Sequence, residues 1–235
     1  MSSCSNHNTL SIGHRGAKGY VAENTYESIS KAIELGVDGI EIDVFKCASG
    51  ELVLFHDKNL QELTGESGFI ENLTIKELEN FLVLGKYKIP TLTDVLTRIE
   101  EPLFVNIELK GLNTAKAASQ IIADLSKNTS WTIENFIISS FNWGELEQFR
   151  SIDKNTPVGV LVSKSMSINE AIEFGKRINA QAIHPNFKLL NDKAVKKIKN
   201  NGFKIYTWTV NDEDDISFMK KLKVDGIISD YPDRI

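Results

Sequence analysis

Cysteine is scarce in this sequence. The 235 residues include only Cys4 and Cys47, which form neither a CxxC pair nor a framework of disulfides. The first nine residues, MSSCSNHNT, also lack the apolar segment of a secretory signal. Because disulfide-poor chains without such a signal are typical of reducing compartments, we expect a cytoplasmic location.

Long hydrophobic runs are absent as well. No apolar run approaches the roughly 20 residues that a membrane-spanning helix needs, so we expect no membrane insertion. The formal net charge is −5, and acidic and basic residues are interspersed. Because nucleic-acid binding favours a basic stripe, we expect no nucleic-acid partner. The sequence has no feature that indicates an oligomeric state. What is present is the composition of an ordinary globular protein.

Short apolar segments alternate with amphipathic ones along most of the chain. We predict eight main strands near residues 12, 41, 106, 138, 160, 183, 206 and 227. Strands that alternate with helices form parallel βα units. Eight such units in a chain of this length predict an α/β fold, a (β/α)8 TIM barrel in one domain over residues 1–235. A doubly wound sheet is the alternative, but GHRGAKG after the first strand departs from the GxGxxG spacing typical of it.

Residues 57–90 depart from this alternation. The segment is polar, contains Gly65 and Gly68, and has helical spacing only near Thr74–Phe81. We therefore predict a small insertion after the second strand, on the side where the strands end. We expect the apolar residues of the insertion to pack within it and to leave no membrane-facing patch. These residues are Phe69, Ile70, Phe81 and Leu82.

Polar side chains follow the first three main strands. His14 ends the first strand, Glu41 and Asp43 lie in the second, and Glu108 and Lys110 lie in the third. Side chains two residues apart point to the same face of a strand, so each of these pairs projects together. Because the carboxyl ends of barrel strands form the active-site face, we expect these side chains to share one pocket.

This set of residues predicts metal and acid–base chemistry. Three carboxylates without nitrogen or sulfur ligands suit a hard divalent cation, Mg²⁺ or Ca²⁺, which would offset their mutual repulsion. His14 and His56 flank them, and imidazoles are suited to general acid and base catalysis near neutral pH. Arg15 and Lys110 are suited to stabilising phosphate charge. Glu23 either caps a helix that begins near residue 24 or supports the site.

These motifs together resemble the glycerophosphodiester phosphodiesterase family. The matching strings are HRG at His14–Gly16, ENT at Glu23–Thr25, GIEIDV at Gly39–Val44, HD at His56–Asp57, NIELK at Asn106–Lys110, TWTVN at Thr207–Asn211 and DGIISDYPD at Asp225–Asp233. The resemblance spans nearly the whole predicted barrel. It implies a TIM barrel with a small insertion after the second strand.

The resemblance also implies an activity and a role for each residue. The reaction would be hydrolysis of a small-molecule glycerophosphodiester, such as glycerophosphocholine or glycerophosphoethanolamine, to sn-glycerol 3-phosphate and an alcohol. One divalent cation, Mg²⁺ or Ca²⁺, would be the cofactor. The implied residues are the catalytic pair His14 and His56, the metal ligands Glu41, Asp43 and Glu108, and the substrate contacts Arg15, Lys110 and Trp208.

Two other functions remain open at this point. One is a related phosphodiesterase that acts on a phospholipid or lysophospholipid. The other is an inactive barrel that binds a phosphorylated ligand. Loss of a metal carboxylate or a histidine would favour the inactive barrel, but all five of these side chains are present.

Overall fold

The structure, a computed structural model, describes residues 8–235; Cys4 lies outside this range. The strands within it are β1 (Leu10–His14), β2 (Gly39–Lys46), β3 (Leu52–Leu54), β4 (Leu82–Val83), β5 (Tyr87–Lys88), β6 (Phe104–Leu109), β7 (Phe136–Ser140), β8 (Val158–Val162), β9 (Ala182–Pro185), β10 (Lys204–Thr207) and β11 (Gly226–Ser229). The helices are α1 (Tyr26–Glu34), α2 (Gln61–Thr64), α3 (Ile75–Leu78), α4 (Leu92–Arg98), α5 (Ala115–Asn128), α6 (Trp143–Ile152), α7 (Ile168–Arg177), α8 (Asp192–Asn200) and α9 (Glu213–Lys221).

Eight of these strands close into a parallel barrel. Their order around it is β1, β11, β10, β9, β8, β7, β6 and β2, and β1 pairs with β2 as well as with β11, so the ring has no free edge. Leu10 lies opposite Gly226 of the last strand, and Ile12 lies opposite Gly39 of the second. The predicted (β/α)8 barrel is therefore confirmed, and its strands are the eight predicted from the alternation.

Local sequence sets the limits of the helices. In α1, the Thr25 side chain accepts a hydrogen bond from the Ser28 amide and caps the first turn. The helix ends before Gly36, whose φ of +76° is the left-handed conformation that glycine adopts readily. The apolar faces of the helices pack on the outside of the barrel, where they bury residues such as Ile29 and Leu146 completely.

Helix α5 is capped by its neighbour α6. The carboxylate of Glu145 accepts hydrogen bonds from the backbone amides of Asn113, Thr114 and Ala115 at 2.8–3.2 Å. It also accepts a hydrogen bond from the Thr114 hydroxyl at 3.0 Å. Because the first amides of a helix have no partner within it, this buried carboxylate satisfies the start of α5. The contact also fixes the loop that follows β6.

His184 of β9 points into the barrel interior. Its ring lies edge-on to Tyr206, with centroids 5.2 Å apart, and is fully buried. It occupies the space beside Gly159, where an added Cβ would lie 2.2 Å from Nε2. Among residues 8–235, neither ring nitrogen has a hydrogen-bond partner. Burial lowers the pKa of His184 to about 3, so the imidazole is neutral at ordinary pH.

The predicted insertion is present after β2. Strand β3 pairs antiparallel with β2, and β4 with β5 forms a separate hairpin. A small apolar core joins this region to the barrel, with Ile70 fully buried in it. Phe69 and Leu82 are 46% and 38% exposed, so the prediction that they pack inside the insertion is wrong. Among the described residues, none of the helices is long and apolar enough to cross a membrane.

Candidate active site

A single pocket at the carboxyl ends of the barrel strands contains most of the predicted site. Asp43 is the one predicted site residue that does not line this pocket, and its side chain is almost completely buried. The strand register explains the convergence: His14 lies opposite Glu41, and Asp43 lies opposite Glu108. The predicted residues that line the pocket are His14, Arg15, Glu41, His56, Glu108, Lys110 and Trp208.

Three buried carboxylates cluster at this site. Glu41, Asp43 and Glu108 each offer an oxygen, and these oxygens lie within 4.8 Å of one another. Burial and the charge of Asp43 raise the pKa of Glu41 well above its ordinary value, and they raise the pKa of Glu108 to about 7. These raised pKa values show that it is costly to ionise all three carboxylates together without a compensating positive charge. An all-carboxylate donor set of this size fits a divalent cation such as Mg²⁺ or Ca²⁺.

Two basic side chains already neutralise part of this charge. Lys110 Nζ lies 2.9 Å from Glu108 Oε1 and 3.8 Å from Asp43 Oδ1. Arg15 Nε lies 3.2 Å from Asp43 Oδ2. Burial by itself raises the pKa of Asp43, but the nearby positive charges, chiefly Arg15, and the Asn24 hydrogen bond together lower it. Burial by itself lowers the pKa of Lys110, but the three carboxylates together raise it, so the amine stays charged. Both cations therefore lie beside the acidic cluster in ionised form.

Asn24 is a site residue that the sequence reasoning missed. Its Nδ2 donates to Asp43 Oδ2 at 2.9 Å, and its Oδ1 accepts from the Asp43 amide at 3.1 Å. The backbone of Asn24 has φ of 54°, and that of Arg15 has φ of 51°, both in the left-handed region that is uncommon for residues other than glycine. The Arg15 amide donates to Glu41 Oε2 at 3.0 Å. The ENT string was the only sequence signal for this support.

Glu23 supports the site and does not cap α1. Its carboxylate lies 2.5 Å from Arg15 Nη1 and 2.8 Å from Lys18 Nζ. Thr25 is the capping residue of the helix. Of the two roles left open for Glu23, the structure thus shows the supporting one, in which it orients the Arg15 guanidinium.

Each of the two histidines is paired with a carboxylate. His14 Nδ1 lies 2.6 Å from Asp230 Oδ1, and His56 Nδ1 lies 2.7 Å from Asp57 Oδ1. Burial lowers the pKa of His14 and that of His56, although the neighbouring carboxylates oppose the shift. In both residues Nδ1 is engaged by an acceptor, which leaves Nε2 for chemistry.

Trp208 and its neighbours form the apolar part of the pocket wall. The indole Nε1 donates to the His184 carbonyl at 2.8 Å, and the ring lies edge-on to Phe141 with centroids 5.3 Å apart. Leu161 and Ile228 complete this side. The pocket thus has a charged half and an apolar half.

Comparisons with known proteins agree with this geometry. The model of the glycerophosphoryl diester phosphodiesterase family matches residues 14–234. A glycerophosphodiester phosphodiesterase from Caldanaerobacter subterraneus is 33% identical, and the alignment covers 97% of this chain and 96% of that protein.

Solved structures show the same similarity. An Oleispira antarctica phosphodiesterase in complex with the product sn-glycerol-3-phosphate is 27% identical, with a TM-score of 0.86, and the match covers 95% of this chain and 94% of that one. The Thermotoga maritima glycerophosphodiester phosphodiesterase is 29% identical, with a TM-score of 0.79 and 97% of each chain covered. The chain belongs to the glycerophosphoryl diester phosphodiesterase family and is a hydrolase of phosphodiester bonds.

Proposed function

We propose that this enzyme hydrolyses glycerophosphodiesters, such as glycerophosphocholine and glycerophosphoethanolamine, to sn-glycerol 3-phosphate and the free alcohol. The observation that carries the proposal is a cluster of three carboxylates, two of which line one pocket together with His14 and His56. The Oleispira relative holds sn-glycerol-3-phosphate as its product, which supports the same product here. The whole barrel is proposed to act as one domain, with residues 57–90 as its insertion.

Glu41, Asp43 and Glu108 are the proposed ligands of one divalent cation, Mg²⁺ or Ca²⁺. When bound, the cation would supply positive charge that polarises a phosphodiester oxygen. The raised pKa values of Glu41 and Glu108 support this assignment, since a cation would offset the repulsion that raises them.

Arg15 and Lys110 are the proposed phosphate contacts. Both line the pocket beside the acidic cluster, and both are held by carboxylates that keep them charged. A guanidinium and an ammonium in fixed positions stabilise the negative charge that grows on the phosphoryl oxygens during the reaction. Trp208 is the proposed apolar contact for the carbon skeleton of the substrate.

His14 and His56 are the proposed acid–base pair. One imidazole removes the proton of the nucleophile, and the other protonates the departing alkoxide. The nucleophile is either water or the glycerol hydroxyl next to the phosphate; attack by the hydroxyl gives a cyclic phosphate that water then opens. Trapping of a cyclic phosphate during single turnover distinguishes the two routes.

The test is release of glycerol 3-phosphate from glycerophosphocholine, with and without a chelator. We expect turnover to be lost in chelator and restored by Mg²⁺ or Ca²⁺. Full turnover in chelator would remove the metal from the proposal, and absence of turnover on every glycerophosphodiester tested would remove the substrate class.

Direct binding of Mg²⁺ or Ca²⁺, measured by calorimetry, tests the ligand assignment without reference to activity. Glu41→Gln should weaken binding about 10-fold or more, because affinity depends on the number of charged ligands. Glu51→Gln is the matched control, since the Glu51 carboxylate lies outside the cluster and accepts a hydrogen bond from the Ser49 hydroxyl. Equal affinity in the two variants would contradict the assignment.

One observation favours a second candidate, a phosphodiesterase for lysophospholipids. Large apolar side chains are exposed on the insertion and on the loop after β6: Phe69, Leu82, Leu84 and Leu112. Such residues could contact the acyl chain of a lipid substrate. Assaying lysophosphatidylcholine beside glycerophosphocholine distinguishes the two proposed substrate classes. Under the first proposal, the water-soluble glycerophosphodiester should be the better substrate.

A further inference from the structure

His14 is connected to the far end of the chain. Its Nδ1 lies 2.6 Å from Oδ1 of Asp230, which directly follows β11 and is 216 residues away in sequence. The two side chains are only 15% and 20% exposed. Because β1 pairs with β11 where the barrel closes, this contact is built into the fold. Asp230 has no role in the function proposed above.

Asn211 fixes the orientation of Asp230. Asn211 Oδ1 accepts hydrogen bonds from the backbone amide of Asp230 at 2.9 Å and from the Ser229 hydroxyl at 3.0 Å. A backbone amide can only donate, so this end of Asn211 must be the oxygen. Its Nδ2 is therefore the group 2.8 Å from Asp230 Oδ2. The amide of Asn211 thus has one orientation and needs an acceptor at the position of Oδ2.

A carboxylate so placed fixes the tautomer of His14. An ionised carboxylate only accepts hydrogen bonds, so Nδ1 of a neutral His14 must carry the proton. Nε2 is then unprotonated, and it faces the pocket, where Glu41 Oε2 lies 3.9 Å away. His56 differs, because its partner Asp57 is its chain neighbour and is 41% exposed.

We infer that Asp230, oriented by Asn211, is a positioning residue that holds His14 with Nε2 ready to accept a proton. The inference rests on the proposed function only in assigning His14 to acid–base work. The contacts themselves predict the tautomer whether or not the enzyme is active.

Asp230→Asn tests this with little change of shape. Because Asn211 Nδ2 still requires an acceptor, the oxygen of the substituted side chain will turn to it and the new amino group will face His14. That amino group needs an acceptor, so Nδ1 of His14 loses its proton and Nε2 gains it. We expect kcat to fall about 100-fold or more, as for loss of a general base, while KM changes by less than about threefold.

A reciprocal exchange provides the matched rescue. In the double variant Asn211→Asp with Asp230→Asn, the new carboxylate at position 211 accepts from the amino group of the new amide at position 230. The oxygen of that amide then faces His14 and accepts from Nδ1. The double variant carries the same charge as the wild type. We expect it to recover the original tautomer and to have a kcat at least about tenfold higher than that of Asp230→Asn.

The readouts are steady-state kinetics on glycerophosphocholine and ¹⁵N NMR of ¹⁵N-histidine protein, in which the ring-nitrogen shifts report the tautomer. Asp233→Asn is the control, since the Asp233 carboxylate accepts a hydrogen bond from the Tyr20 hydroxyl and is not the partner of His14. An unchanged His14 tautomer and kcat in Asp230→Asn would overturn the inference. A double variant no better than the single one would overturn the role of Asn211. If the wild type hydrolyses no glycerophosphodiester, the proposed function fails, while the NMR result still decides the tautomer.

Discussion

His184 should make the stability of this protein sensitive to acid. The imidazole is fully buried, and burial lowers its pKa to about 3 in the folded protein, against an ordinary value of about 6.5 in the unfolded chain. Below pH 6.5 the unfolded chain therefore binds a proton that the folded protein does not. The contribution of His184 to stability is fully present above pH 6.5 and is lost as the pH falls towards 3.

The size of the effect follows from these two pKa values. Between pH 7.5 and pH 5.0, protonation of the unfolded chain should lower the free energy of unfolding by about 2 kcal/mol, and the loss should reach about 4 kcal/mol at pH 3. The variant His184→Leu removes the titrating group and replaces it with an apolar side chain of similar size. Between pH 7.5 and pH 5.0, its free energy of unfolding should therefore fall by about 2 kcal/mol less than that of the wild type.

Urea denaturation at pH 7.5 and 5.0 measures the difference for both proteins, and other titrating groups cancel in the comparison. Ile183→Val, one residue earlier on β9 and also fully buried, is the control for altered packing and should keep the pH dependence of the wild type. Equal losses of stability in wild type and His184→Leu would refute the reasoning, as would an NMR titration of His184 above pH 5.

Further predictions concern turnover and packing. His14→Ala and His56→Ala should each reduce turnover about 100-fold or more with little change in thermal stability; near-normal turnover on glycerophosphocholine in either variant would contradict its assignment. Gly159→Ala should destabilise the protein by about 1–3 kcal/mol, because the new methyl group meets the His184 ring; an unchanged urea midpoint would contradict this. Glu145→Ala should cost about 1–3 kcal/mol by leaving buried amides without an acceptor, and an unchanged free energy of unfolding would argue against the cap.

The barrel and its acidic cluster could be predicted from sequence because both follow from short-range periodicity. Glu41 and Asp43 are two residues apart on one strand, and Glu108 lies on the strand that pairs with it. A period of two in neighbouring parallel strands is enough to place such side chains on one face. The catalytic and binding roles of these residues stay predictions.

The supporting contacts could not be predicted in the same way. The pairing of His14 with Asp230 depends on closure between the first and last strands, and no local pattern records which carboxylate will lie beside an imidazole 216 residues away. The clamp of Asn24 on Asp43 depends on a left-handed backbone, which asparagine tolerates but does not dictate. The exposure of Phe69 depends on how the insertion packs as a whole.

Closure of the barrel between β1 and β11 has a consequence for biosynthesis. Until Gly226–Ser229 has left the ribosome, β1 has a partner on one side only, and the imidazole of His14 lacks its carboxylate. A nascent chain that already contains Glu41, Asp43 and Glu108 therefore still lacks the carboxylate partner of His14. Under the role proposed for Asp230, we expect fragments that end before this residue to be inert.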